Sequence, residues 1–220
     1  MISRAMEDYL KTIYHLTRGG DRVSTSQLAQ RMDCSAASVT NMLQKLSDLK
    51  LVQYKPYQGV TMTPSGSRVA LEILRHHRLV ELYLQQELGY SWDKVHAEAE
   101  ELEHVISEEL EERIDRALGR PTKDPHGHPI PSKDGRISSA PRCSLWEVPS
   151  GGRVRVSLVS DRNPEVLRHL ASMGIYPEVG LSIQGKAPFN GPLSVRVDGV
   201  EGKECSLTEE LARQIYVIPI

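Results

Sequence analysis

The sequence has few cysteines, and none of them form a recognisable motif. Cys34, Cys143 and Cys205 are far apart, with no CxxC spacing among them. This spacing indicates neither a disulfide framework nor a structural zinc ribbon. The chain also lacks an uninterrupted apolar run close to the roughly 20 residues that span a bilayer, and its first residues contain no secretory hydrophobic region. We therefore expect a cytoplasmic protein with no membrane partner.

Motifs of hydrolytic chemistry are absent as well. The sequence has no HExxH run, no nucleophile motif and no phosphate-binding glycine loop. Histidine and glutamate beside an open metal position can activate water, so a metalloenzyme is one alternative to consider. Without those motifs, we expect that the protein is not an enzyme.

The net charge of −2 hides an uneven distribution along the chain. Residues 1–72 contain nine Lys/Arg and six Asp/Glu, whereas residues 73–118 contain five Lys/Arg and twelve Asp/Glu. An acidic block suits cation binding, and a mildly basic one suits an anionic polymer. At 220 residues the chain is long enough for two or three modules.

One segment, residues 96–104, combines histidines and carboxylates at helical spacing. The segment has no Gly or Pro, and residues three and four apart share a helix face, so His96, Glu100, Glu103 and His104 can lie together. Leu102, Val105, Ile106 and Leu110 form the apolar stripe that we expect this helix to bury. The alternative is an acidic surface helix with histidines nearby by chance.

A second pair makes the metal hypothesis stronger. His77 and Glu81 are four residues apart on another apolar-periodic helix, Val69 to Leu88. If the two helices pack through their leucines, one or two cation sites can form between them.

The N-terminal residues have the pattern of a winged helix-turn-helix. A helix over residues 4–17 is followed by Ser24-Thr-Ser-Gln27, a capping box, and by a second helix start at Ser35. Two short β-type runs, 51–55 and 59–63, then predict a hairpin wing. In such domains the N-terminal residues of the second helix face base edges in the major groove.

This placement nominates a set of DNA-binding residues. Hydroxyls and an amide can bond bases or phosphates, and cations and a wing-tip aromatic residue can contact the backbone. The candidates are Ser35, Ala37, Ser38, Thr40, Asn41, Lys45, Lys55 and Tyr57. The alternative is a purely structural helix-turn-helix with Asn41 as a solvated surface residue.

Residues 119–150 are rich in Pro and Gly and predict a long linker that is partly ordered at best. His126 and His128 lie within it, and their neighbours favour turn residues over metal ligands. From Arg153 the chain contains five short β-type runs and one helix from Asn163 to Gly174, which predicts a small barrel. The expected fold is mainly α with a smaller β part. The domains are a winged-helix DNA-binding domain (1–72), a helical dimerisation and metal-binding domain (73–140) and an SH3-like domain (151–220).

With these modules in this order, the chain resembles the diphtheria toxin repressor family of metal-dependent transcriptional regulators over its full length. The stretches that carry the resemblance are residues 8–14, 77–81, 94–104 and 125–131, and the C-terminal part is similar to the SH3-like domain of ferrous iron transport proteins at 173–177 and 207–216. The resemblance implies a primary metal site at Asp8, Glu100, Glu103 and His104. It implies a neighbouring site at His77, Glu81 and His96, which is often completed from the third domain, where Asp161 and Glu165 are the nearest candidates. Manganese-type members assign the position of His77 to their own site, so the resemblance leaves both assignments of His77 open.

The donor types at these positions favour manganese. Iron-responsive members carry Met and Cys where this chain has Asp8 and Glu100. Oxygen donors suit Mn²⁺, although Fe²⁺ remains an alternative because it binds most sites more tightly. Lys11 stands where manganese-type members place a second carboxylate, which argues against a two-manganese cluster built on that residue. We expect one or two ions per subunit.

The resemblance implies a homodimer that binds a palindromic double-stranded DNA operator when metal is present and that represses metal-uptake genes. Two other classes stay open at this point. One is a metal-independent winged-helix regulator whose acidic block serves only dimerisation, and the other is the metalloenzyme considered above.

Overall fold

The computed structural model describes residues 2–17, 22–139, 143–189, 191–199 and 203–220. They form two compact units. The first unit comprises residues 1–77, 103–106 and 131–136, and the second comprises residues 78–102, 107–130 and 137–220. Within the described residues, no helix has the length and apolar character that crossing a membrane requires.

The first unit is a winged helix-turn-helix, as predicted. Its elements are α1 (Arg4–Thr17), α2 (Thr25–Arg31), α3 (Ala36–Asp48), β1 (Val52–Lys55), β2 (Gly59–Met62) and the first part of α4 (Pro64–Gln86). The two strands pair antiparallel, with Val52 opposite Met62 and Lys55 opposite Gly59.

Local signals in the sequence start the short helices of this unit. Ser24 accepts a hydrogen bond from the Gln27 N–H, and the Gln27 side chain accepts one from the Ser24 N–H, so the capping box is complete. Ser35 caps α3 by accepting from the Ser38 N–H at 3.2 Å. The buried faces of the helices and strands meet in one core, which contains Leu10, Ile13, Leu28, Val39, Leu43, Leu46 and Val60.

The helical part of the second unit differs from the sequence prediction. The prediction that residues from His96 to Leu110 lie on one helix is wrong, because α5 (Val95–Leu102) ends before α6 (Glu108–Ala117) begins. Ser107 caps α6 by accepting from the Leu110 N–H at 3.2 Å, which starts a new helix at this point. Residues 103–106 therefore lie in a turn.

The expected burial of an apolar stripe along that single helix is also wrong. Leu102, Val105 and Leu110 are 37%, 74% and 45% exposed in the chain, because the break places them on separate elements.

The C-terminal part of the second unit is an antiparallel sheet of five short strands, in line with the predicted SH3-like domain. The strands are β3 (Arg153–Val159), β4 (Gly180–Lys186), β5 (Leu193–Val197), β6 (Glu204–Leu207) and β7 (Ile215–Pro219), in the spatial order β6-β5-β4-β3-β7. Helix α7 (Pro164–Met173) begins at the Asn163 cap and ends at Gly174 with φ +79°, and α8 (Glu209–Ala212) precedes β7.

The Pro/Gly-rich segment holds more structure than the linker prediction expects. Lys123 forms an isolated bridge with Pro129, and the Ile130 N–H donates to the Thr122 carbonyl at 2.9 Å. Gly127 has φ +88°, and a Cβ there would lie 2.1 Å from the Ser157 carbonyl oxygen on β3. The part of the segment around Gly127 is therefore packed closely against β3, and only residues 140–142 of the predicted linker lie outside the described residues.

Candidate metal centres and DNA interface

Side chains from α1, α4 and the turn after α5 form a cluster in the first unit, which we call the Glu103 cluster. It contains Asp8, Lys11, His77, Glu103 and His104. His104 Nε2 lies 3.0 Å from Asp8 Oδ1 and 3.3 Å from Glu103 Oε1. One ligand atom from each of these three residues lies within 4.8 Å of the others, which is close enough to hold one metal ion.

The remaining contacts orient this cluster. His77 Nδ1 lies 2.5 Å from Glu103 Oε2, and the Lys11 ammonium donates to Glu103 Oε1 at 2.6 Å. On the other side, His104 Nδ1 lies 2.5 Å from Glu7 Oε2. Because His104 uses Nδ1 for Glu7, its Nε2 is the nitrogen that faces Asp8 and Glu103.

Two of the three donor residues in this arrangement are largely buried. Glu103 is 1% exposed, and His104 Nε2 is a buried nitrogen with no aligned hydrogen bond among the described residues, despite two carboxylates nearby. A buried nitrogen without a hydrogen bond is costly, and a divalent cation between it and the carboxylates would satisfy all three. The donor set fits a metal ion.

A second cluster lies wholly within the second unit and is called the His126 cluster here. It contains Glu81 on α4, His96 on α5, Asp161 after β3, and Asp124, His126 and His128 in the segment that precedes β3. Two triads lie within 4.8 Å: Glu81, His96 and Asp161, and Asp124, His126 and His128.

Charge and burial in the His126 cluster again fit a cation. His96 Nδ1 lies 3.0 Å from Glu81 Oε1, and His128 Nδ1 lies 3.3 Å from Asp124 Oδ2 and 3.5 Å from Asp161 Oδ2. Three of its buried atoms have no aligned hydrogen bond among the described residues, namely Asp124 Oδ2, His126 Nδ1 and His128 Nδ1, and Asp124 Oδ2 lies 3.5 Å from Arg78 Nε.

The carboxylates of this cluster perturb its imidazoles. Burial by itself lowers the pKa of His126, but the negative charges of Glu81, Asp124 and Asp161 outweigh burial and raise the pKa to about 9. Burial is likewise outweighed at His128, where Asp124 and Asp161 raise the pKa. In the metal-free protein, a proton on His126 therefore balances charge that a divalent cation would balance.

Other contacts fix the backbone of this cluster in place. The two N–H groups of His126 and His128 donate to Asp124 Oδ1, and the Val159 N–H donates to the His126 carbonyl. The His126 ring stacks on Trp92 at 5.7 Å between centroids.

The structure distributes the sequence-predicted metal residues over both units. Asp8, His77, Glu103 and His104 lie in the Glu103 cluster, and Glu81, His96 and Asp161 lie in the His126 cluster. Glu100 belongs to the second unit, where its Oε1 is 3.7 Å from His96 Nε2. Glu165 is exposed in the first turn of α7 and is in neither cluster.

Sequence reasoning missed three members of the His126 cluster. Asp124, His126 and His128 were expected in a linker as turn residues, but His126 is fully buried. The signal that could have identified them is the alternation Asp-x-His-x-His, in which every second residue is a metal-ligand type.

The predicted DNA-binding residues are exposed on one part of the first unit. Ser35 is the cap of α3, and the Thr40 hydroxyl donates to the Ala36 carbonyl at 2.9 Å, so its oxygen can still accept a hydrogen bond. Lys55 ends β1, and Tyr57 is at the hairpin turn with φ +64° and a fully exposed ring. All eight predicted residues are exposed, including Ala37, Ser38, Asn41 and Lys45.

Models of three protein families match successive parts of the chain. Residues 1–60 match the iron dependent repressor N-terminal DNA binding domain, and residues 63–132 match the iron dependent repressor metal binding and dimerisation domain. Residues 143–219 match the FeoA domain.

Individual proteins show the same likeness. The iron-dependent repressor IdeR of Mycobacterium leprae is 29% identical, with 96% of this chain and 95% of that protein covered. The diphtheria toxin repressor of Corynebacterium efficiens is 34% identical over 70% of this chain and 69% of its own length.

Solved structures match over nearly the whole chain. A manganese-dependent transcriptional repressor in complex with manganese is 41% identical, with a TM-score of 0.89, and covers 98% of this chain and 100% of its own. The manganese regulator SloR is 32% identical, with a TM-score of 0.77 and 98% of each chain covered. Domain order, fold and sequence identity agree, and the chain belongs to the diphtheria toxin repressor family of iron-dependent repressors.

Proposed function

We propose that this protein is a metal-dependent transcriptional repressor that binds operator DNA as a homodimer when its clusters hold Mn²⁺, with Fe²⁺ as the alternative ion. The observation that carries the proposal is the position of His104 Nε2. This buried nitrogen faces carboxylates of Asp8 and Glu103 and has no aligned hydrogen bond among the described residues.

The donor types support manganese. The Glu103 cluster offers carboxylate oxygens and imidazole nitrogens, with no sulfur ligand among its residues. Hard oxygen donors favour Mn²⁺ over softer metals. The structural neighbour solved with manganese supports the same choice.

The residues that would hold the ion connect it to the DNA-binding fold. Asp8 is on α1, and the next turn of α1 places Leu10 and Ile13 in the core that also contains Val39 and Leu43 of α3. A bound divalent cation supplies positive charge between carboxylates that otherwise repel each other. Asp8 then holds α1 to Glu103 and His104, and the shared core transmits this constraint to the recognition helix.

The His126 cluster is proposed as a second ion site. Glu81, Asp124, His126 and His128 offer buried oxygen and nitrogen atoms, and His96 and Asp161 lie at its edge. Two ions per subunit would then bind, one in each cluster.

The DNA-binding face is formed by α3 and the wing. Asn41 can bond an adenine edge bidentately, while Lys45 and Lys55 can contact phosphates. In a homodimer, two α3 helices would occupy successive major grooves of a palindromic operator, about 34–36 Å apart.

The proposal also covers the location of the protein and the role of its clusters. A repressor acts on DNA, so we place the protein in the cytoplasm. The clusters serve binding and not catalysis, because the sequence carries no nucleophile or general-base motif beside them.

A mobility shift tests the proposal. A duplex selected from a random pool by the Mn²⁺-loaded protein is titrated with protein in Mn²⁺, in Fe²⁺ or in chelator. We expect Mn²⁺ to tighten binding by about 5- to 150-fold, and His104→Ala to abolish that gain while leaving weak binding in chelator unchanged.

His169→Ala is the matched control, because this histidine is exposed on α7. It should keep the full response to Mn²⁺. Equal binding with metal and with chelator in the wild type would contradict the proposal and would favour a metal-independent regulator.

A further inference from the structure

A lysine lies inside the Glu103 cluster. Lys11 is on α1, one turn after Asp8, and its ammonium is 2.6 Å from Glu103 Oε1. The two side chains are 12% and 0% exposed. This is a buried ion pair and not a surface contact that solvent screens.

The Glu103 oxygen that Lys11 contacts is the oxygen a metal would need. Oε1 is also the atom 3.3 Å from His104 Nε2, whereas Oε2 is 2.5 Å from His77 Nδ1. A protonated lysine has three donors and no lone pair, so it cannot coordinate a metal ion. Lys11 and a cation held by Asp8 and His104 therefore compete for one oxygen.

We propose that Lys11 is an internal counter-ion of Glu103 and that it raises the metal concentration at which this cluster fills. The inference rests on the proposed function, in which the Glu103 cluster holds a divalent cation. In the metal-free protein, Lys11 balances a carboxylate that would be costly to bury alone. An incoming cation then has to displace the ammonium from Oε1 or tolerate it nearby, and both weaken binding.

The consequence is a site that holds its shape without metal but fills only at a higher metal concentration. Without Lys11, Asp8, Glu103 and His104 would bind a divalent cation more tightly. The reason is that the positive charge of Lys11 repels the cation, and this repulsion is strong where water is excluded. Lys11 thus lowers the affinity of the Glu103 cluster for a divalent cation and stabilises the metal-free protein.

The test compares Mn²⁺ binding to chelator-treated, full-length Lys11→Met and wild-type protein, by calorimetry and by the EPR signal of free Mn²⁺. The binding step that His104→Ala abolishes identifies the Glu103 cluster. We expect Lys11→Met to tighten this step at least about tenfold, the low end for close charge pairs, and to lower the thermal midpoint of the metal-free protein.

Lys123→Met is the matched control. Lys123 also pairs with a glutamate, Glu178, at 2.7 Å, but both side chains are exposed, at 44% and 56%. This variant should change neither the His104-dependent step nor, by more than a degree or two, the thermal midpoint.

Unchanged or weaker Mn²⁺ binding in Lys11→Met would overturn the inference. If that variant does not fold without metal, Lys11→Arg replaces it: a guanidinium can hold a carboxylate through two hydrogen bonds, so binding should be equal or weaker, and tighter binding would overturn the inference. If the wild type itself shows no His104-dependent step, the proposed function fails and the role of Lys11 fails with it, whereas a wild-type step that Lys11→Met leaves unchanged overturns the role of Lys11 alone.

Discussion

His126 shows how a single buried imidazole can report the charge around it. Its ring is fully buried, stacks on Trp92 and faces the Glu81 carboxylate at 3.8 Å. An apolar site of this depth would keep the imidazole neutral. The three carboxylates of the cluster reverse that tendency and raise its pKa to about 9.

This reversal predicts a pH dependence for the metal-free protein. The pKa of His126 in the folded protein is above the ordinary value near 6.5. The stabilisation of the folded protein by the protonated His126 imidazole is therefore fully present below about pH 6.5 and is lost as pH rises through about 9. In chelator, the free energy of unfolding should fall by up to about 3 kcal/mol between these pH values. Urea denaturation at several pH values measures it.

His126→Gln should flatten this dependence, and His169→Gln should leave it as in the wild type, because His169 is exposed on α7. The same slope in His126→Gln and in the wild type would show that another group carries the linkage.

Single residues differ in how far the sequence can predict their role. Asp8, Glu103 and His104 are predicted as ligands because the family resemblance assigns that role to their positions, and the structure places one donor atom of each within 4.8 Å of the others. The contact between Lys11 and Glu103 cannot be predicted from the sequence. These residues are 92 positions apart, and only tertiary packing brings them together.

At the scale of elements, strong local signals are predictable and weak ones are not. The capping box at Ser24 and the alternating wing strands predict the helix-turn-helix and hairpin correctly. The break between α5 and α6 is missed because residues 96–112 contain no Gly or Pro and are mostly helix-favouring. Ser107, the cap of α6, is the one local signal of the break.

The segment around Gly127 provides a prediction at this scale. Gly127→Ala should destabilise the second unit, because a Cβ would lie 2.1 Å from the Ser157 carbonyl oxygen at a backbone with φ +88°. Strain at positive φ alone costs about 1–3 kcal/mol, and the clash with β3 adds to that cost. Thermal denaturation and Mn²⁺ binding at the His126 cluster are the measurements.

Gly135→Ala is the control that isolates the clash. Gly135 has a similar φ of +76°, but nothing lies within 4 Å of a Cβ there. If both variants lose the same stability, backbone strain explains the effect and the close packing of Gly127 contributes nothing.

At the scale of the whole molecule, the uneven charge matches a division of roles. The mildly basic N-terminal residues form the winged helix, and the acidic block contributes carboxylates and histidines to both clusters. The sequence predicts the order of these modules well, because each has its own periodicity. It does not predict that one cluster depends on Asp124, His126 and His128, since their burial depends on packing against β3.

In the proposed mechanism, metal binding and operator binding are coupled. The direct measurement is a Mn²⁺ titration of the full-length protein with and without saturating operator duplex. Linkage requires that DNA tighten Mn²⁺ binding by the same factor by which Mn²⁺ tightens DNA binding, about 5- to 150-fold. Equal Mn²⁺ affinities in the two titrations would show that metal and operator bind independently and would contradict the coupling.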